Sequence, residues 1–131
     1  MASAIYPIAK QGMLSGSFNL PTDTIRAVLI DTGTYTYSTA HDFYNDLSGV
    51  VGTESGVFGT KTVTNGVFDA ADITFSAVTG ATVEAIVIFQ DTGNVATDRL
   101  IAYVDTATGL PVTPNGGDIN IVFHASGIFA L

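Results

Sequence analysis

At 131 residues and 13.6 kDa the chain has the size of one domain, able to bury about two-thirds of its unfolded surface. Four Lys/Arg against twelve Asp/Glu give a net charge of −8, which excludes a phosphate-neutralising groove, and so nucleic acid, and opposes an anionic membrane surface. No cysteine is present, so disulfides, thiolate-bound zinc and thiol chemistry are excluded, and with only 12% charged residues the surface must be built from Thr, Ser, Asn, Gly and apolar atoms.

The opening "MASAIYPIAK" has no basic leading segment, and Pro7 and Lys10 interrupt its apolar stretch, so synthesis is expected to finish in a cytoplasm. No apolar run approaches the ~20 residues that cross a bilayer. Residues 7–14 predict a short helix, with Pro7 at its first position and Gly16 just past its end; Gly12 argues against it. "TIRAVLI" (24–30) predicts a strand from its β-branched and apolar content. "TYTY" (34–37) continues as strand, and "AHDFYNDL" (40–47) predicts a second helix, with Phe43 and Leu47 one turn apart. The Gly- and Ser-rich stretch 48–59 predicts an exposed loop.

Beyond it, "TKTVT" and "VFDA" flank Asn65-Gly66, a dipeptide that supplies the positive φ angles of a tight hairpin. Strands are predicted at 72–78, 82–90, 99–105, 118–125 and 127–131, with no helix pattern between them. "AIVIF" (85–89) is apolar on both sides, which makes it a central strand needing a sheet on one face and a helix or a neighbouring subunit on the other. The fold class is mainly β: a single antiparallel β-sandwich or jelly-roll-like domain over 1–131, with two short helices at about 7–14 and 40–47.

Asp-Thr-Gly occurs at 31–33 and again at 91–93, each time after an apolar strand, which is the parts list of an aspartic protease. Asp-Thr also follows strand-like runs at 23–24 and 105–106, so the repeated unit is turn grammar: Asp accepts backbone N–H bonds two residues on, and Gly reverses the chain. The segments after Gly33 and Gly93 do not match, as two pseudo-equivalent lobes would; only a homodimeric protease built on Asp31 stays formally open. No catalytic group is assigned.

His41 and His124 have no sequence neighbours that make a metal or acid–base site, and both are expected to be structural, capping or solvated. Asp91, Asn94, Asp98, Asp105 and Asp118 have the oxygens that calcium needs but not the EF-hand spacing, so they are expected as solvated turn residues. Ser15 and Ser126 lie in turns, "PNGGD" (114–118) is a hairpin turn, and five tyrosines without tryptophan are ordinary for a sandwich rather than a glycan platform. No cofactor is expected.

"DITFSAVTGATVEAIVIFQDTGNVATDRLIAYVD", followed by "GGDINIVF" and a terminal "GIFAL", resembles a widespread group of small virion structural proteins of tailed bacteriophages. "DTIRAVLIDT" and "HDFYNDL" match the same group's front end. The resemblance implies a head decoration or cement protein that binds the major capsid protein as a homotrimer on the outside of the shell. Its alternatives are a tail or fibre-associated adhesion module and, remotely, an aspartic-type hydrolase. The residues add a reason of their own for assembly, since a β-rich chain with so few cations has few edge guards, and neighbours are expected to close its edges. Candidate contacts are Ile5, Tyr6 and Ile8, in an arm at 1–12, and Ile128, Phe129 and Leu131 on the last strand.

Overall fold

The computed structural model describes residues 3–130, so Leu131 lies outside the described residues. Ten strands and one helix follow in chain order: β1 Ala4–Ile5, α1 Pro7–Ser15, β2 Ile25–Ile30, β3 Val50–Val51, β4 Thr62–Thr64, β5 Val67–Asp69, β6 Ile73–Phe75, β7 Ala85–Gln90, β8 Arg99–Val104, β9 Ile119–Ile121 and β10 Phe129–Ala130. They form an antiparallel main sheet in the order β1-β8-β7-β2-β3, a three-stranded sheet β10-β5-β4 and a two-stranded sheet β6-β9.

The apolar runs form the middle of the main sheet because each has a core on both faces. Ala27, Leu29, Ile86, Ile88 and Ile101 share a buried cluster with Phe68 of the three-stranded sheet and with Ile73, Phe75, Ile119 and Ile121 of the two-stranded sheet. On the other face Val28, Ile30, Val87, Phe89 and Leu100 share a second cluster with Tyr6, Ala9 and Tyr35. Each fully buried side chain of this size contributes roughly 1.5–3 kcal/mol before ordering costs. The chain itself therefore covers both faces of β7, and this strand gives no reason for a partner.

A register shift at Ile88/Phe89 leaves Ile101 as an extra residue in β8: Ala102 pairs with Ile88 and Leu100 with Phe89. The bulge puts Ile101 and Ala102 in the same cluster and returns Leu100 to the opposite one. The Ile101 carbonyl accepts the Tyr6 N–H at 3.0 Å, which fixes the entry of α1.

Helix α1 starts with Pro7 and ends at Gly16, whose φ of 87° is left-handed. Gly12 is there because the Phe18 ring packs on the helix: a Cβ at Gly12 would stand 2.8 Å from Phe18 Cε2.

Three segments depart from their sequence patterns, and tertiary hydrogen bonds explain two of them. Residues 40–47 make only a 3₁₀ turn at Tyr44–Asp46, because Phe43 bridges Arg99, Tyr44 N–H donates to the Asp98 carbonyl and Leu100 N–H to that of Asp42. This segment borders the first half of β8, where β1 does not reach. "TYTY" is no strand: Thr34 and Tyr35 N–H both donate to the Asp31 carbonyl at 3.0 Å, closing a turn.

The stretch 48–59 is no free loop but the outer border of β2. Val51 pairs with Leu29, Ser55 N–H donates to the Ala27 carbonyl, and Phe58 N–H to the Ile25 carbonyl. Ser55 Oγ accepts the Ala27 N–H at 3.0 Å, so a hydroxyl stands where a strand would offer a carbonyl. Segments of the chain itself thus lie along the outer sides of β2 and β8, and the sheet ends at the two-residue strands β1 and β3.

Candidate assembly surface

The three-stranded sheet is built around the Asn65-Gly66 turn, whose φ angles of 52° and 78° allow the two-residue hairpin the sequence predicts. The register sets Val63 opposite Phe68. On the other side of β5, Phe129 pairs with Phe68, and Ile128 N–H donates to the Phe68 carbonyl at 2.8 Å. Gly127 permits this approach: its φ is 121°, and a Cβ there would stand 2.3 Å from Val67 Cγ1. Among the described residues, neither β4 nor β10 has a strand on its outer side.

Beside this sheet lies a groove of about 430 Å³. One wall is Met13, Phe18, Leu20 and Pro21; the other is Val63, Phe68 and Phe129. Asn19 and two glycines complete the lining, which contains no charged side chain. Val63 is 48% exposed, although it is the only aliphatic residue of β4. The Lys61 ammonium donates to the Asp23 carbonyl and ties the hairpin to the opposite wall. An uncharged, apolar groove on the face of a sheet whose two outer strands have no strand beyond them can take apolar side chains, while those strands offer backbone hydrogen bonds.

Of the five predicted contacts among the described residues, one lies here. Phe129 lines the groove, while Ile128 packs on the core beside it. Tyr6 is 0% exposed within its own chain, and its hydroxyl is hydrogen-bonded to that of Tyr35 at 2.8 Å, so it cannot reach a neighbour. Ile5 is half-buried in β1, and Ile8 is exposed on α1. The arm at 1–12 is therefore, over its described part, a strand and a helix of the domain, held by pairing with β8. Sequence reading missed Val63 and Phe68, although counting outward from Asn65-Gly66 pairs them.

Asp31 and Asp91 are turn residues. Gly33 N–H donates to Asp31 Oδ1 and Gly93 N–H to Asp91 Oδ1, both at 2.9 Å. Asp31 Oδ2 takes the Thr34 hydroxyl, and Asp91 Oδ2 takes Arg26 Nε at 2.7 Å. Asp91 N–H bonds to the Thr24 carbonyl, so the two aspartates stand a strand length apart, about 23 Å for the seven steps from Thr24 to Asp31. A proton-sharing dyad within one chain is excluded by that separation.

His41 Nδ1 is hydrogen-bonded to the Tyr35 hydroxyl at 2.7 Å, while His124 Nδ1 accepts the Ser126 N–H in a turn. Burial, with the Tyr35 hydroxyl beside it, pushes the Tyr6 phenol far above its ordinary range; burial also raises Tyr35, Tyr37, Tyr44 and Tyr103. The turn oxygens considered for calcium are spent locally: Asp98 Oδ1 accepts from Thr92, Asn94 Oδ1 from Ala96 and Asp118 Oδ1 from Ala77. Asp105 lies at the other end of β8 from Asp98. Among the described residues no group of three or more His, Asp or Glu could hold a metal ion. No known protein-family model matches the chain, and no curated protein matches it.

Proposed function

We propose that this chain is a structural component of a tailed-phage virion, a head decoration protein that binds the outer face of the major capsid shell as a homotrimer. The observation that carries the reading is the apolar groove on the three-stranded sheet, whose outer strands β4 and β10 have no strand beyond them among the described residues. The two edges are unlike, so pairing β10 of one copy with β4 of the next is heterologous, the kind of contact that forms a ring when a three-fold rotation closes it, as a three-fold position on a shell requires. The sequence resemblance favours the same setting. A surface carrying −8 must meet its partners through an uncharged patch or through basic groups on the other side, and the groove is uncharged.

The test adds purified protein to heads lacking it and images them by cryo-electron microscopy, with light scattering of the free protein. Trimers in solution and trimeric density on the outer shell are expected, and Val63→Asp should abolish both while leaving circular dichroism unchanged. A folded monomer at micromolar concentration that leaves heads bare overturns the reading. Density on the tail instead selects the adhesion alternative.

A further inference from the structure

Three neighbouring strands of the main sheet bring chemistry-bearing ends to the same place. Ile30 pairs with Ala85 and Ile86 with Val104, so Thr32 beyond β2, Glu84 before β7 and Asp105 after β8 all lie at one end of the sheet. With Tyr103 and Pro111 they line a cleft of about 260 Å³ that shares no residue with the apolar groove.

Both carboxylates in the cleft are held by hydrogen bonds within the chain. Glu84 Oε1 takes both the N–H and the hydroxyl of Thr32 at 3.0 Å, which fixes the carboxylate and leaves Oε2 without a partner among the described residues. Asp105 Oδ1 takes the Ser3 hydroxyl at 2.9 Å, and Ser3 Oγ accepts the Asp105 N–H in return; Oδ2 is left in the same state. Tyr103 is 3% exposed, yet its hydroxyl makes no hydrogen bond among the described residues. Every fully enclosed polar side-chain atom has a partner, so this hydroxyl opens onto the cleft instead of being sealed in.

We propose that the cleft binds a primary alkylammonium group, the head of a lysine side chain from a partner protein. An ammonium has three N–H donors, and the cleft offers three acceptors with spare capacity, on Glu84, Asp105 and Tyr103. Pro111 supplies an apolar wall for the methylene stem. Glu84 Oε2, Asp105 Oδ2 and the Tyr103 hydroxyl are three oxygens without partners among the described residues, half of the six or more that calcium takes, and a planar guanidinium prefers two parallel bonds to one carboxylate. The chain has little of its own to fill the site: Arg26 is paired with Asp91, Lys61 holds the Asp23 carbonyl, and Arg99 lies over the Phe43 ring. Burial raises the Tyr103 phenol, and the charges of Asp105 and Glu84 add to it, so the hydroxyl stays neutral beside both carboxylates.

The site is independent of the virion reading. The test is an NMR titration of tyrosine-labelled full-length protein at constant ionic strength, with Nα-acetyl-lysine methylamide as probe and n-butylammonium, tetramethylammonium and calcium as comparisons. Saturable shifts of the Tyr103 ring are expected with the lysine derivative and with n-butylammonium, and not with tetramethylammonium, which has no N–H. Glu84→Gln keeps an oxygen for Thr32, and Tyr103→Phe removes a hydroxyl that bonds nothing in the fold. Each should weaken binding about tenfold or more with unchanged unfolding midpoints. Equal shifts from tetramethylammonium, binding of calcium alone, no saturation, or full affinity in both variants overturns the proposal. Binding of n-butylammonium without the lysine derivative assigns the cleft to small free amines and overturns the lysine assignment.

Discussion

The main sheet and the three-stranded sheet use similar residues, β-branched and aromatic, and differ in what lies along their strands: the long strands of the main sheet are bordered by short, largely irregular segments, whereas the strands of the smaller sheet are all short. Along β2 the chain lays Val51, Ser55 and Phe58; along β8 it lays β1 and residues 42–44, and every one of these contacts uses backbone hydrogen bonds. The three-stranded sheet stops at β4 on one side and β10 on the other, with no strand beyond either among the described residues. Edge protection therefore does not depend on lysine or proline here. The borders of β2 and β8 are held by backbone hydrogen bonds within the chain, while the apolar groove lies beside the smaller sheet.

The comparison can be broken most completely with alkali. The phenols of Tyr6, Tyr35, Tyr37, Tyr44 and Tyr103, around the helix-side face of the main sheet, are all raised by burial. A raised phenol contributes stability that is fully present below the unfolded value of about 10 and is lost as pH climbs toward the folded value. Unfolding above pH about 10 should be cooperative, and absorbance at 295 nm should show these tyrosines ionising with the loss of the fold, not ahead of it.

Tyr6→Ala, which empties a fully buried site between α1 and the main sheet, should cost about 3–5 kcal/mol in urea unfolding. A cost below 1 kcal/mol would mean that the first residues are the detachable arm their sequence suggests. Ser55→Ala leaves the buried Ala27 N–H without its acceptor and should cost about 1–3 kcal/mol, with faster hydrogen exchange confined to the β2 border. At the open sheet, Val63→Asp touches a half-exposed side chain and should change stability by no more than about 0.5 kcal/mol. A larger loss in the isolated chain would show β4 to be part of the core and weaken its assignment to assembly.

Much of this was legible from local chemistry. The strands around 25–30, 85–90 and 99–104 follow from apolar and β-branched runs, α1 from Pro7 and Gly16, the hairpin from Asn65-Gly66, and the Asp31 and Asp91 turns from the repeated Asp-Thr-Gly. The misread segments are those whose hydrogen bonds go far along the chain. Phe43 and Leu47 have helical spacing, but the groups that Asp42 and Tyr44 bond lie more than fifty residues away. Ser55 looks like one more loop serine until β2 is beside it. Tyr6 is held by the carbonyl of Ile101, the residue at which the β7·β8 pairing shifts register, and a bulge leaves no mark in an apolar run. The groove escaped notice for the same reason, since its two walls come from residues 13–21 and from 63–129.

The Ser55 hydroxyl has one more consequence, for what may be added to the molecule. Val51 is pinned to Leu29 and Ser55 to Ala27, while Gly52, Thr53 and Glu54 between them are exposed. A peptide spliced between Thr53 and Glu54 would leave the surface at one fixed point and return at another close by, and each doubling of such a loop costs only about 0.6 kcal/mol in closure entropy. The border of β2 is thus a ready grafting point, where foreign sequence can be displayed while two short anchors keep the sheet beneath it intact.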